Sequence, residues 1–333
     1  MHPYRPLDRR NYWNAPSALQ IRAVENAHQG QQIQETLFMK TFERNYSMPA
    51  SRPFSRRFAC IAATVLLAVA SASTQAAEVF AGAAPKGRLV LFSSDDPSDV
   101  AVVRVKGLQH GEEILGLDMR PATGQLYALG SSSRIYTIDY VAGTATAVGS
   151  GPFTPALNGT RFGFDFNPTV DRIRIVSDAG QNLRAHPDTG AIAAVDGDLN
   201  YATNDAAAGV MPMVVAAAYT NNDTNPATAT VLFDIDTALD TLVMQNPPNA
   251  GTLVTVGPLG LDVAWAGGFD VAASDGTAYA AIAPERHDRG HRSAMPRRAG
   301  LYTIDLTTGQ ATFVGRIGGP TPLTSLATLG SLE

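Results

Sequence analysis

Gly116-Leu117-Asp118-Met119-Arg120-Pro121 opens a segment that continues Thr123-Gly124-Gln125-Leu126-Tyr127-Ala128-Leu129, then Arg134-Ile135-Tyr136-Thr137-Ile138-Asp139, and closes on Gly143-Thr144-Ala145-Thr146-Ala147-Val148-Gly149. Four short β-like runs are separated by turn residues. Within one run Ile135, Thr137 and Asp139 alternate in character with Tyr136 and Ile138, the period of two that a strand imposes. One such unit cannot bury its apolar residues alone, so it has to be stacked against copies of itself.

The copies are present. Gly268-Phe269-Asp270-Val271 leads to Asp275-Gly276-Thr277-Ala278-Tyr279-Ala280, Gly300-Leu301-Tyr302-Thr303-Ile304-Asp305 and Gly309-Gln310-Ala311-Thr312-Phe313-Val314-Gly315. Two looser units begin at Gly163-Phe164-Asp165-Phe166-Asn167-Pro168 and at Ala217-Ala218-Tyr219-Thr220-Asn221. With Tyr219 taken as the third opening position, Asp118, Asp165, Tyr219 and Asp270 lie 47, 54 and 51 residues apart. Four strands recurring every ~40–50 residues define a β-propeller blade. A β-sandwich would not repeat its strand pattern at this interval. The ends supply one more blade. Leu323-Thr324-Ser325-Leu326-Ala327-Thr328 reads as an opening strand with nothing after it, while Leu89–Phe92 and Val100–Val105 read as outer strands with no opening strand before them. The sequence therefore predicts an all-β fold, a β-propeller of five four-stranded blades closed by pairing the N- and C-terminal strands, with six blades as the alternative.

Upstream of the repeats the composition changes. Arg52, Arg56 and Arg57 precede an apolar run of 13 residues, Phe58 to Ala70, followed by small residues up to Ala77. That order is a secretory signal peptide. The run is shorter than the ~20 apolar residues of a spanning helix. The expected organisation is a mis-annotated or disordered leader at 1–47, a signal peptide at 48–77 and one propeller domain at 78–333, with an Arg- and His-rich loop insertion at 286–298. The net charge of −5 over 333 residues then divides unevenly. Residues 1–77 carry nine basic and four acidic side chains, and the remainder carries 16 basic and 26 acidic. An acidic domain is not a nucleic-acid partner. The only cysteine, Cys60, falls in the signal peptide, which excludes a disulfide framework and a thiolate metal site in the domain.

Gly116 to Tyr127, Phe164-Asp165-Phe166-Asn167-Pro168, Ala218-Tyr219-Thr220-Asn221 and Gln245-Asn246-Pro247-Pro248-Asn249-Ala250-Gly251 together resemble the exported bacterial family of domain of unknown function 4394. The resemblance spans about residues 88–329. It implies a secreted, propeller-like domain and carries no activity with it.

The chemistry-bearing candidates follow from the repeat. Asp118, Asp165 and Asp270 occupy matching places on three predicted innermost strands, where carboxylates near one axis can hold a divalent cation or act as acid and base in glycoside cleavage. They can equally bond local backbone at each blade's start. Tyr219, Arg120 and Asn167 complete the candidate ligand-binding set. Arg172, Arg174, Arg161 and Arg184 are read as ion-pairing residues or as contacts for an anionic group, and Trp265 as a core residue. Asp196-Gly197-Asp198-Leu199-Asn200 starts like a calcium loop, but Tyr201 stands where glycine is needed. His287 and His291 have a helical zinc spacing in a stretch whose Gly290 and arginines argue against it. No nucleophile elbow, phosphate-cradling loop or zincin motif occurs.

The expectation is an exported, non-catalytic propeller, periplasmic or extracellular. It would be a monomer that binds or scaffolds an unknown protein or glycan, with no transmembrane span after cleavage, no catalytic residue, no metal and no cofactor. The alternative is a channel-mouth hydrolase or lyase using the repeat aspartates, with calcium.

Overall fold

The computed structural model describes residues 76–223, 225, 227–285, 298–320 and 322–331, together with the backbone of 287–288 and 291–292. Residues 1–75, which contain nearly all of the predicted leader and signal peptide, lie outside the described residues. The compact unit begins at Ala76 and runs to Ser331.

It is a five-bladed β-propeller. The first blade is Ile114–Arg120, Gln125–Gly130, Arg134–Asp139 and Thr144–Val148. The second is Phe162–Asn167, Arg172–Ser177, Asn182–Ala185 and Ile192–Val195. The third is Val214–Tyr219, Leu232–Asp236, Thr241–Gln245 and Thr252–Pro258, with the short strand Asn200–Tyr201 added parallel at its outer edge. The fourth is Val263–Val271, Ala278–Pro284, Gly300–Ile304 and Ala311–Arg316. The fifth joins the two ends of the chain, with Ser325–Ser331 innermost, then Glu78–Ala84, Arg88–Ser93 and Ala101–Arg104. Its second strand, Glu78–Ala84, is an element the sequence does not announce. The innermost strand of every blade lies against those of its two neighbours, so the five form a closed ring. The single 3₁₀ turn Pro248–Ala250 is the one helical element among the described residues, and no helix there is long and apolar enough to cross a membrane.

Successive side chains of a strand point to opposite faces, so each blade serves two interfaces at once. On Gln125–Gly130, Leu126 and Ala128 pack toward the fifth blade, while Tyr127 and Leu129 pack toward the second. The apolar core is accordingly split into five clusters, one between each pair of neighbouring blades. Both faces of the middle strands are buried, which explains near-continuous apolar runs such as Ala278–Ala283.

The glycine turns between third and fourth strands also fit blade to blade. A Cβ on Gly143, Gly190 or Gly309 would meet the carbonyl oxygen of Arg104, Val148 or Gly257 at 2.7, 2.6 and 2.4 Å. Each of those carbonyls belongs to the outer strand of the preceding blade, and each glycine has positive φ. In the insertion, His287–Asp288 and His291–Arg292 pair as a two-residue antiparallel ladder. Arg286, Arg289, Gly290 and residues 293–297 lie outside the described residues.

Candidate functional site

All five innermost strands start at one end of the ring, the entry end, and finish at the other. Asp118, Asp165 and Asp270 stand part-way along three of them, on the first, second and fourth blades. One carboxylate oxygen from each lies within 4.8 Å of the others, and each residue is only 1% exposed. The propeller therefore brings together at its axis three carboxylates that are far apart in sequence.

The hydrogen bonds show what fixes them. Asp118 accepts through Oδ1 from its neighbour Met119 N–H (2.7 Å) and through Oδ2 from Phe166 N–H of the second blade (2.6 Å). Asp165 accepts through Oδ1 from Tyr219 N–H of the third blade (2.9 Å). Asp270 accepts through Oδ1 from Val271 N–H (2.6 Å), and through Oδ2 from both the N–H (2.6 Å) and the hydroxyl (2.8 Å) of Thr328 in the fifth blade. The five amides served are Met119, Phe166, Tyr219, Val271 and Thr328, one on each innermost strand. Each aspartate reaches forward to the next blade. The amides of the first and fourth blades, which follow a blade without the aspartate, are taken by their own preceding aspartate.

This pattern corrects the register of the third unit. Tyr219 N–H is the counterpart of Phe166 N–H, so the position equivalent to Asp165 is Ala218, not Tyr219. In the fifth blade the same position is Ala327. Both alanines are fully buried. A shift of one residue turns a strand's side chain to the opposite face. The Tyr219 ring therefore leaves the axis and enters the interface with the second blade, where its hydroxyl accepts from Arg174 Nε–H at 3.3 Å.

Burial without nearby cations raises the carboxyl pKa values. Desolvation, then the charge of Asp270, pushes Asp118 well above the usual carboxylate range. Desolvation, then Asp118 and Asp270, does the same to Asp165. Asp270, which accepts the most hydrogen bonds, is raised to about 6, chiefly by desolvation.

The other sequence candidates lie elsewhere. Arg120 sits at the exit end of the first blade. Its guanidinium donates to both carboxylate oxygens of Asp171 (2.9 and 2.5 Å) and to Asp188 (2.7 Å), tying the first blade to turns of the second. Asn167 Oδ1 accepts from Thr169 and Val170 N–H in its own turn. Arg174 is 2% exposed and donates to Asn182, Asp196 and Asn249 as well as Tyr219. Arg184 takes both oxygens of Asp196. The acid that opens the apparent calcium loop is thus held by two guanidinium groups. Asp234, fully buried on the third blade, has no hydrogen-bond partner on either oxygen, and burial raises its pKa well above normal although Arg174 acts against the rise.

One arrangement joins two residues the sequence leaves unrelated. Arg161 immediately precedes the innermost strand of the second blade, and Trp265 is the third residue of the innermost strand of the fourth. The Arg161 guanidinium carbon lies 4.4 Å from the centroid of the Trp265 ring. The second and fourth blades are not neighbours, so this contact crosses the axis at the entry end. Trp265 is half-buried rather than part of an apolar cluster, which corrects its reading as a core residue. Its indole N–H donates to Leu323 O at 2.6 Å. The 104-residue separation hides the pair in the sequence; the one cue available was that both flank the start of an innermost strand.

Comparison with known proteins adds the family. The propeller of Dos1 is a structural neighbour at 11% identity and a TM-score of 0.37, covering 67% of this chain; this chain spans about half (53%) of that one. A structural genomics protein of unknown function from Bacteroides thetaiotaomicron VPI-5482 is another, at 14% identity and a TM-score of 0.42, covering 78% of this chain and 66% of its own. A third is the glutaminyl cyclase of Myxococcus xanthus, at 14% identity and 0.42, covering 66% and 84%. No curated protein matches. Residues 88–327 match the model of the family described as domain of unknown function DUF4394, and the chain belongs to that family.

Proposed function

We propose that this chain is an exported, non-catalytic propeller that serves as a binding or scaffold module for a protein or a glycan. The observation that carries the reading is the state of the three aspartates. Five of their six carboxylate oxygens accept a main-chain N–H from the innermost strands, and all three residues are buried. Glycoside cleavage needs two carboxyl groups about 5–9.5 Å apart on either side of an accessible bond. Here the three carboxyl groups are buried and main-chain amides occupy five of their six oxygens, which leaves no accessible bond between them. Their place in the propeller is that of a keystone: they satisfy amides at the axis, where no further strand exists to do so.

The same pattern bears on calcium. Oxygens already accepting amide hydrogens are poorer ligands for a hard cation, and the raised pKa values favour protons as the neutralising charge. We therefore read the cluster as one that takes up protons rather than calcium. Calcium or EDTA is expected to leave the melting temperature of the full chain unchanged at pH 7; a calcium-dependent rise would reverse this reading.

Export rests on the leader's composition and on the absence of cysteine from the domain. N-terminal sequencing of protein recovered from the expressing bacterium is expected to begin near Ala77. For the function itself, the chain is run in gels containing polysaccharides while reducing ends are assayed. Retardation without new reducing ends is expected. Reducing ends that vanish in Asp165→Asn would establish a hydrolase instead.

A further inference from the structure

Resting on the reading of this propeller as a binding module, we infer that the entry end of the ring carries an oxyanion site, in which Arg161, held against the Trp265 ring, receives a carboxylate, sulfate or phosphate group of the ligand. Three other arginines of the first and second blades are spent within the fold. Arg120 is bound by two carboxylates and Arg174 by four polar partners. Arg184 is bound by Asp196.

Arg161 differs from all three. Its side chain donates no hydrogen bond among the described residues and has no carboxylate within ion-pairing distance there; its guanidinium lies instead over the Trp265 ring. The nearest acid that acts on its charge, Asp178, is spent on Thr160, accepting from its N–H at 2.8 Å and its hydroxyl at 2.5 Å. Arg161 is nevertheless half-buried, and desolvation weakens its hold on its proton.

A partly desolvated guanidinium keeps several N–H donors in a fixed plane, and stacking on an aromatic ring holds that plane still. Such a fork matches the two oxygens of an oxyanion. The anchoring is rigid, because the Trp265 N–H is fixed to Leu323 O and a Cβ at Gly267 would meet that same oxygen at 2.2 Å. In a domain with an excess of acidic side chains, a cation held this way without a partner is placed for a ligand rather than for stability.

The test uses the full chain with Trp13→Phe, which leaves Trp265 as the only tryptophan. Its emission is titrated with sodium sulfate, phosphate and citrate at ionic strength held constant with sodium chloride. A saturable change with at least one anion is expected, and the responding anion identifies the oxyanion type. Arg161→Gln should weaken that response at least tenfold, with a melting temperature within a few degrees of the parent. Arg161→Lys, which keeps the charge and loses the fork, should fall between the two. A response that is linear, absent, or the same in Arg161→Gln overturns the inference. The parent reading fails separately: if the Arg161→Gln variant is retarded in the polysaccharide gel as strongly as the parent, only the oxyanion site is lost, whereas a chain that releases reducing ends is not a binding module.

Discussion

The innermost strands of this propeller carry two kinds of charged group, and they are used in opposite ways. The carboxylates of Asp118, Asp165 and Asp270 accept amides from all five innermost strands. The guanidinium of Arg161, whose Cα stands about 13 Å before that of Asp165 by strand rise, is held by an aromatic ring and accepted by nothing among the described residues. A charged group whose hydrogen bonds are all made within the chain holds the fold, because removing it strands its partners. One whose bonds are unmade costs the fold little to lose and is free for a ligand. Exposure alone does not draw this line, because Arg184 is half-buried like Arg161 and yet bound by Asp196; the hydrogen-bond accounting does.

The comparison predicts a ranked series of effects. The largest belongs to Arg174, which is saturated on every side. Arg174→Met leaves Asp196 with one guanidinium in place of two and Asn182 and Asn249 short of a donor, and should cost about 3–5 kcal/mol in urea unfolding. A cost below ~1 kcal/mol would show that hydrogen-bond accounting does not rank these residues. Asp118→Asn and Asp270→Asn come next. Each replaces one of two accepting oxygens with an NH₂ group that faces an N–H, and each should cost about 1–3 kcal/mol.

The third prediction concerns pH. A carboxyl whose folded pKa lies above its unfolded value contributes stability that is fully present below the unfolded pKa and is lost as pH rises through the folded one. For Asp270 that window runs from the ordinary carboxylate range to about 6, and for Asp118 and Asp165 it likewise opens upward from the ordinary range. Asp96, Asp188, Asp205 and Asp305 have lowered pKa values and act in the opposite sense at acid pH. The difference between wild type and variant isolates the axis. Asp165→Asn should gain stability relative to wild type as pH rises from 4 to 8, measured by thermal melts across that range, and a difference that does not change with pH would mean the cluster carries no shifted titration.

At a single pH near 7, Asp165→Asn should be the mildest of the three substitutions. Its Oδ1 bond to Tyr219 N–H can be kept by the amide oxygen, and its second oxygen accepts no hydrogen bond from the described residues. The new NH₂ can then donate toward the neighbouring carboxylates, so a change within about 1 kcal/mol of wild type is expected. Smallest of all is Arg161→Gln, which loses one cation–π contact worth about 0.5–1 kcal/mol while removing the anion response of Trp265.

Much of this was legible in the sequence, and the exceptions have identifiable causes. Asp118, Asp165 and Asp270 stand out because each is a polar residue in an otherwise apolar strand, repeated at blade spacing. The third blade has no such marker: Val214–Tyr219 is buried throughout, so nothing local distinguishes Ala218 from Tyr219 as the repeat position. The strand Glu78–Ala84 follows the small residues of the leader and shares their composition, so it reads as their continuation. The forward reach of each aspartate to the next blade is invisible, because the accepted amides belong to backbone that any residue supplies.

What the sequence determined by itself was the blade, its recurrence, and closure of the ring through the two ends of the chain. These follow from period-two alternation and turn chemistry, which act over a few residues and repeat. What only the tertiary structure decided was which charged groups are satisfied and which are not. That depends on contacts between blades, where residues roughly 50 positions apart meet, and across the axis, where Arg161 meets Trp265. No local rule of strand or turn reaches that far; the closed ring does, by bringing five strand edges around one line.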